Sequence, residues 1–235
     1  MNKMDRHMLV TYIDYFNRVV CWCKRKRKLK PLRSPLKLNL GAGFDPIDGW
    51  INIDVSLNVF FAKFPPPFLR YIYRFSGAHN QYSLSQYIDI LKQHTFIHHN
   101  LEYGIPFCDE SVDYVYTHNL LEHLFKNDAE RLIREIFRVL KKGGGARISV
   151  PDLEYAVSCY QKDNKEELLS NFPVSRQEKY FIPHRYMYDF EMLQALLLKA
   201  GFSRVKRCKY RESNFPDINK LDTIPWESLI VEAVK

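Results

Sequence analysis

The stretch LKLNLGAGFDPIDGWINID, Leu36 to Asp54, decides how this chain folds. Leu36 to Leu40 is a short apolar run that stops at a glycine, as strands buried in a parallel sheet do. Ile51 to Val55 is a second such run. The turn Gly41-Ala42-Gly43 at the end of the first lets the main chain come close to a ligand and present amides at the carboxyl edge of the sheet. Asp54, at the end of the second, is placed to accept both hydroxyl hydrogens of a ribose. A glycine turn followed by an acid on the next strand reads as a nucleoside site.

The residues between the two runs narrow that reading. A dinucleotide site carries a third glycine at the start of a helix whose amides hold pyrophosphate. Here the position is Pro46, and Asp45-Pro46 and Asp48-Gly49 read as turns, with no conspicuous helix between Gly43 and Asp54. A ligand with an adenosine and an amino-acid end, but no phosphate, suits this stretch better.

Outward from it, strand-like runs recur at Thr95 to His99, Val112 to Thr117, Ala146 to Val150, Phe202 to Lys209 and Ser228 to Val234. Helical stretches fall at Asp128 to Leu140, Leu153 to Gln161 and Asp189 to Ala200. Strands alternating with helices predict an α/β fold, a doubly wound, Rossmann-like and mostly parallel sheet of seven strands. In Asp128 to Leu140, Leu132, Ile136, Val139 and Leu140 share one face, Arg131, Arg134 and Glu135 point to water, and Lys141-Lys142-Gly143 closes the helix. Asp189 is the expected N-cap of the last helix and Gly201 its C-terminal stop. About residues 57–93 form an insertion. Its part from Phe60 to Tyr87, with Pro65-Pro66-Pro67 and interleaved aromatics and arginines, reads as a lid or as a small subdomain burying its rings.

The formal net charge of +8 resembles a nucleic-acid signal until it is located. Residues 1–37 hold 11 Lys/Arg against 2 Asp/Glu, and the remainder 24 against 25. The basic character therefore belongs to an arm, residues 1–35, and the body, 36–235, has no compositional reason to bind a polyanion. Nucleic acid is the less favoured partner. In the arm Leu9, Ile13, Phe16, Val20 and Cys23 recur at helical spacing and Lys24 to Lys28 follow. Asp14, Asn17 and Arg18 break the apolar character, so neither a membrane span nor a signal peptide fits. Two readings stay open: a helix packed on the body, or residues 8–30 lying on an anionic membrane surface. Five cysteines, odd in number and without disulfide spacing, suggest a reducing, cytoplasmic setting, with peripheral attachment at the inner membrane face as an extension.

The ordered segments LNLGAG at Leu38 to Gly43, WINID at Trp50 to Asp54, NLEYGIPFCDESVDYVYTHNLLEHL at Asn100 to Leu124 and REIFRVLKKGGGARISVPDL at Arg134 to Leu153 resemble the class I S-adenosylmethionine-dependent methyltransferases of the methyltransferase-domain type 11 kind. The ending SLIVEAVK, Ser228 to Lys235, is similar to the last strand of bacterial members, some linked to cell-surface polysaccharide biosynthesis. The resemblance implies S-adenosylmethionine as cofactor, with Gly41 and Gly43 along its methionine portion, Asp54 on the ribose, and Asn100 with Leu101 beside the adenine. His118 would border the reacting centre. Relatives commonly carry Asp where Asn100 stands, and the short Phe44 to Trp50 stretch leaves the cofactor carboxylate without an assigned partner.

Methyl transfer from a sulfonium needs a base only when the acceptor must lose a proton. Candidates are His118, Glu122 and His123 around the fourth strand, with His184, Arg185 and Tyr186 before the last helix, and His118 and His123 are the foremost. Glu122 could equally cap a helix. No metal is expected: His94, His98 and His99 lack a completing Cys or carboxylate, and adjacent strand residues face opposite ways. The expected function is methylation of oxygen or nitrogen on a small molecule or glycan precursor. An RNA methyltransferase using the basic arm, and a catalytically silent cofactor-binding partner protein, are the alternatives.

Overall fold

The computed structural model describes residues 3–30, 34–162, 184–222 and 228–235, with side chains from residue 11 onward. Seven strands, β1 (Lys37–Leu40), β2 (Ile51–Asp54), β3 (Thr95–His98), β4 (Val112–His118), β5 (Leu140–Pro151), β6 (Arg204–Cys208) and β7 (Ser228–Val234), form one sheet in the order β3-β2-β1-β4-β5-β7-β6. β1 to β5 pair in parallel, and β7 runs antiparallel between β5 and β6. The helices are α1 (Lys3–Lys24), α2 (Leu57–Phe61), α3 (Pro66–Tyr73), α4 (Leu84–Gln93), α5 (Lys126–Val139), α6 (Leu153–Gln161), α7 (Phe190–Ala200) and α8 (Ile218–Leu221).

Register assigns each strand residue to a face. Leu38 lies opposite Ile51 and Val115, Leu40 opposite Ile53, and Ile148 opposite Val231. These residues form the main core with Leu132, Ile133 and Ile136 of α5 and Leu193 and Leu197 of α7. Each such fully buried side chain contributes about 1.5–3 kcal/mol. The side chain of Asp189 accepts from the Met192 amide and caps α7, and Gly201, in the left-handed region, ends it. α5 differs from expectation at its end. Leu140 is already the first residue of β5, so Lys141 belongs to a strand and bonds Asp113. Glu135 does not face water: its carboxylate accepts from the Ile105 amide and from Arg138.

The opposite face of the sheet is polar. Asn39 lies opposite both Asn52 and Tyr116, and Tyr116 opposite Arg147. Ile47, Trp50 and Leu221 cover this face, with Phe215 beside them. The crossover from β1 to β2 carries no helix. Its turns are held by Asn52, which accepts from the Ile47 amide at 2.8 Å and from Asn39 Nδ2 at 3.0 Å and lies fully buried. Side-chain amides thus satisfy the turn's backbone where a helix would satisfy its own.

The insertion folds as a small helical subdomain. Tyr87, Leu69, Leu91, Ala62 and Ala78 form its core, and Phe44 stacks on Tyr87 from the compressed crossover. Ser83 and Gln86 make a reciprocal capping box that starts α4. Phe64, Phe68, Tyr71 and Phe75 remain on its outer surface.

α1 packs on the ends of β2 and β3 chiefly through residues beside the apolar stripe, of which Val20, half-buried, and Phe16, edge-on to Phe60 at 6.1 Å, also face the body. Ile13, Phe16 and Cys23 are exposed, whereas Cys21 is buried and Asn17 donates to the Val55 carbonyl at 3.0 Å. Leu9 has a side chain outside the described residues. His98 is the centre of this contact. Its Nε2 donates to the Val55 carbonyl at 3.0 Å and to Asn17 Oδ1 at 2.9 Å, which leaves Nδ1 to accept from Lys24 Nζ at 3.3 Å. Burial first, and the Lys24 ammonium second, push the imidazole down to about 4, with Asp54 opposing and His99 adding slightly. The native state therefore keeps His98 neutral. Its contribution is complete above pH 6.5 and is lost as pH falls toward 4. Between pH 8 and pH 5 the chain should lose about 2 kcal/mol from this group. Urea midpoints compared with those of His98→Gln check this, and equal pH dependence in the two proteins would refute it.

Candidate functional site

Three strands end beside one another at the carboxyl edge of the sheet, β1 at Leu40, β2 at Asp54 and β4 at His118. The glycine turn after β1 differs from the expected amide cradle. The Gly41 and Ala42 amides both donate to the Ile53 carbonyl, and the Gly43 amide donates to Asp54 Oδ2 at 3.0 Å. The turn contributes space rather than donors. Gly43 has φ +51° and nothing within 4 Å of where a Cβ would stand, whereas a Cβ at Gly41, φ +71°, would meet Leu120 at 2.9 Å. Gly41 thus lets the chain after β4 close on the turn, and Gly43 leaves an open side.

Asp54 is half-buried, and its Oδ1 accepts from the Ser56 amide at 2.7 Å. Each oxygen has one backbone donor and a further lone pair, so the carboxylate is oriented yet retains acceptor capacity. Asn100 caps the 3-10 turn Leu101–Tyr103: its Oδ1 accepts from the Glu102 amide at 2.9 Å and its Nδ2 donates to Glu102.

A cleft of about 290 Å³ opens next to the turn, lined by Gly41, Ala42, Asp45, Tyr116, His118 and Lys220 among others. His118 is half-buried with its Nδ1 lacking a hydrogen-bond partner among the described residues, and burial lowers its pKa. Tyr116 stacks beside it, with ring centroids 6.3 Å apart. The sequence carries no signal for Lys220, because residues 210–222 follow no strand or helix period. Asp217 holds that segment on the sheet, accepting from Lys37 Nζ at 2.5 Å and Trp50 Nε1 at 2.9 Å.

His123 does not line this cleft. It belongs with Glu122 and His184, one potential ligand atom of each lying within 4.8 Å of the others. Glu122 is fully buried in the 3-10 turn Leu121–His123, and burial raises its carboxyl to about 8. It caps no helix, since Phe125 holds that position at α5. Its carbonyl accepts the Arg185 amide at 2.7 Å and the Tyr186 amide at 3.2 Å, which ties the chain ahead of α7 to the end of β4. His94, His98 and His99 do not converge. His94 bonds the Ile90 carbonyl and Asp48, His98 faces α1, and His99 bonds the Gly104 carbonyl.

Residues 55–148 match the methyltransferase domain family. This match and the strand order support the reading of the chain as a class I S-adenosylmethionine-dependent methyltransferase. No curated protein is similar enough to count as a match. Solved structures similar to the chain include a S-adenosylmethionine-dependent methyltransferase of Thermotoga maritima, at 18% identity and a TM-score of 0.49, covering 98% of this chain and 97% of that one. A suggested O-methyltransferase of Nostoc punctiforme shares 16% identity with a TM-score of 0.47, covering 87% of this chain. Human N-acetylserotonin methyltransferase in complex with its cofactor shares 15% at a TM-score of 0.48, covering 86% of this chain. The chain spans about half the length of the last two, 53% and 47%.

Proposed function

We propose that this methyltransferase acts on oxygen or nitrogen of a small molecule or glycan precursor. The observation that carries the site is Asp54, oriented by the Gly43 and Ser56 amides beside a glycine with open space over it. In this reading Asp54 holds the ribose hydroxyls, Gly41 and Gly43 admit the methionine portion, and Asn100 with Leu101 borders the adenine. Lys220, at the cleft, supplies the cation for the cofactor carboxylate that the short Phe44 to Trp50 stretch lacks. When bound, the cofactor supplies an electrophilic methyl group. The chain's own work is to align an acceptor with it and exclude water. His118 is the group in the cleft that orients the acceptor or takes its proton. Calorimetric titration with S-adenosylmethionine, followed by labelled-methyl transfer to fractionated extract, tests this. No heat at millimolar cofactor would sink it.

The arrangement of α1 favours an anionic membrane as the place of work. A polar face of α1 meets the body while Tyr12, Tyr15, Phe16, Val19 and Trp22 stay exposed, and Phe64, Phe68, Tyr71 and Phe75 add exposed rings from the insertion. A hollow of about 630 Å³ below the end of α1 has an apolar floor of Phe60, Phe96, Ile97 and Phe107 and a rim of Lys24, Arg27, Lys30 and Lys63. Apolar rings beside cations suit an interface where each basic residue adds about 1 kcal/mol. No helix among the described residues is long and apolar enough to cross a membrane. The protein should sediment with anionic but not zwitterionic vesicles, and a Phe16→Ser, Trp22→Ser variant should lose most of that binding. Equal sedimentation of variant and wild type would remove the proposal.

A further inference from the structure

The end of β4, the loop after it and Tyr188 ahead of α7 concentrate unmet polar demand. Seven buried side-chain polar atoms lack a hydrogen-bond partner among the described residues, and six of them are Thr117 Oγ1, His118 Nδ1, Asn119 Oδ1, both Glu122 carboxylate oxygens and Tyr188 Oη. A buried carboxylate with neither oxygen paired costs several kcal/mol if ionised, so a native chain that keeps one there has a use for it. The Glu122 oxygens have two imidazoles as neighbours. His123 and His184 meet edge to face with centroids 4.9 Å apart.

We propose that Glu122, His123 and His184 form a binding site for a divalent transition-metal ion of the Mn²⁺, Fe²⁺, Co²⁺ and Zn²⁺ class. Two imidazoles and one carboxylate are the donor set such ions take, whereas Mg²⁺ and Ca²⁺ prefer oxygen throughout. Ligand atoms about 2.0–2.2 Å from a shared ion stand about 3–4 Å apart. The observed spread, within 4.8 Å, needs only a small contraction of the three side chains. The backbone prepares that contraction. Glu122 and His123 share one 3-10 turn, and the hydrogen bonds from Arg185 and Tyr186 to the Glu122 carbonyl bring His184 opposite them. The charge of the ion also answers the buried carboxylate, neither of whose oxygens has a hydrogen-bond partner among the described residues.

Three protein ligands leave coordination positions open, the pattern of sites that bind a substrate rather than only brace a fold. Leu120, next in the same loop, touches Gly41 of the glycine turn. The site therefore lies along the chain that closes one wall of the proposed cofactor cleft, and an acceptor bearing a metal-binding oxygen is the class it selects. That last step rests on the methyltransferase reading. The ion site itself does not. In it His123 is a ligand and not the base.

The test is titration of the chelator-treated full chain with Co²⁺ and Zn²⁺ in the absence of cofactor. The wild type should bind one equivalent of Co²⁺ with visible ligand-field bands, displaced by Zn²⁺. Glu122→Gln and His184→Asn should each weaken binding at least tenfold with unchanged circular dichroism. If Glu122→Gln fails to fold, His184→Asn, outside the core, carries the comparison. A wild type without stoichiometric Co²⁺, or a folded His184→Asn with wild-type affinity, overturns the site. A chain that binds S-adenosylmethionine but no ion loses this proposal and keeps the methyltransferase reading.

Discussion

Replacing Arg147 by methionine should cost about 3–5 kcal/mol of folding free energy, because it strands two carboxylates inside the protein. Arg147 is fully buried in β5. Its Nε and Nη2 donate to the two oxygens of Asp222 at 2.9 and 2.5 Å, and Nη1 donates to Glu232 at 2.5 Å. Burial opposes ionisation of Glu232, yet hydrogen bonds and nearby cations hold its pKa below the ordinary value. Asp222 follows α8 directly, so this pair, with Tyr116 Oη donating to the Leu221 carbonyl at 2.5 Å, clamps the segment bearing Lys220 onto the sheet. Lys206 Nζ, 2.9 Å from Glu232, relieves part of the penalty there, and the Arg211 amide at 2.7 Å part of that at Asp222. Urea unfolding should show the loss, and melting should fall by roughly 10 °C for a domain of this size. Asp222→Asn added to Arg147→Met should recover a sizeable part, since the charge with no partner is then gone. A single-variant loss below about 1 kcal/mol would show that water reaches the cluster.

Arg147 also marks where sequence reasoning stops. Strands buried against α5 and α7 declared themselves as apolar runs, and Leu38, Ile53, Val115 and Ile148 all lie where such runs put them. The polar face could not be read that way. Asn39, Asn52 and Arg147 sit inside those runs as isolated polar letters, and their partners are known only once the sheet is built, 75 and 85 residues further on for Arg147. The same holds for Glu122 and His184, which come together because the Arg185 and Tyr186 amides donate to the Glu122 carbonyl. α1 shows a different limit. Periodicity located its apolar stripe, but the side that packs is decided by what the body offers, and the His98 imidazole and Val55 carbonyl select the polar side carrying Asn17.

Asp54→Ala should weaken S-adenosylmethionine binding by about 1.5–3 kcal/mol, a loss of about 10- to 150-fold in affinity, if its carboxylate holds the ribose as proposed. The substitution does two things at once. It removes the acceptor, and it frees the Gly43 and Ser56 amides that the carboxylate now satisfies at 3.0 and 2.7 Å. Asp54→Asn separates them: one amide oxygen can still accept a backbone donor, while the charge that strengthens bonds to two hydroxyls is gone. The sharper comparison changes the ligand as well. S-Adenosylhomocysteine and its 2′,3′-dideoxy analogue should differ at least tenfold on the wild type and bind nearly equally to Asp54→Ala, because the hydroxyls then have nothing to reach. A carboxylate that only braces the glycine turn would weaken both ligands alike and leave their ratio unchanged. The ratio, unlike either affinity alone, therefore distinguishes a ribose contact from a turn support.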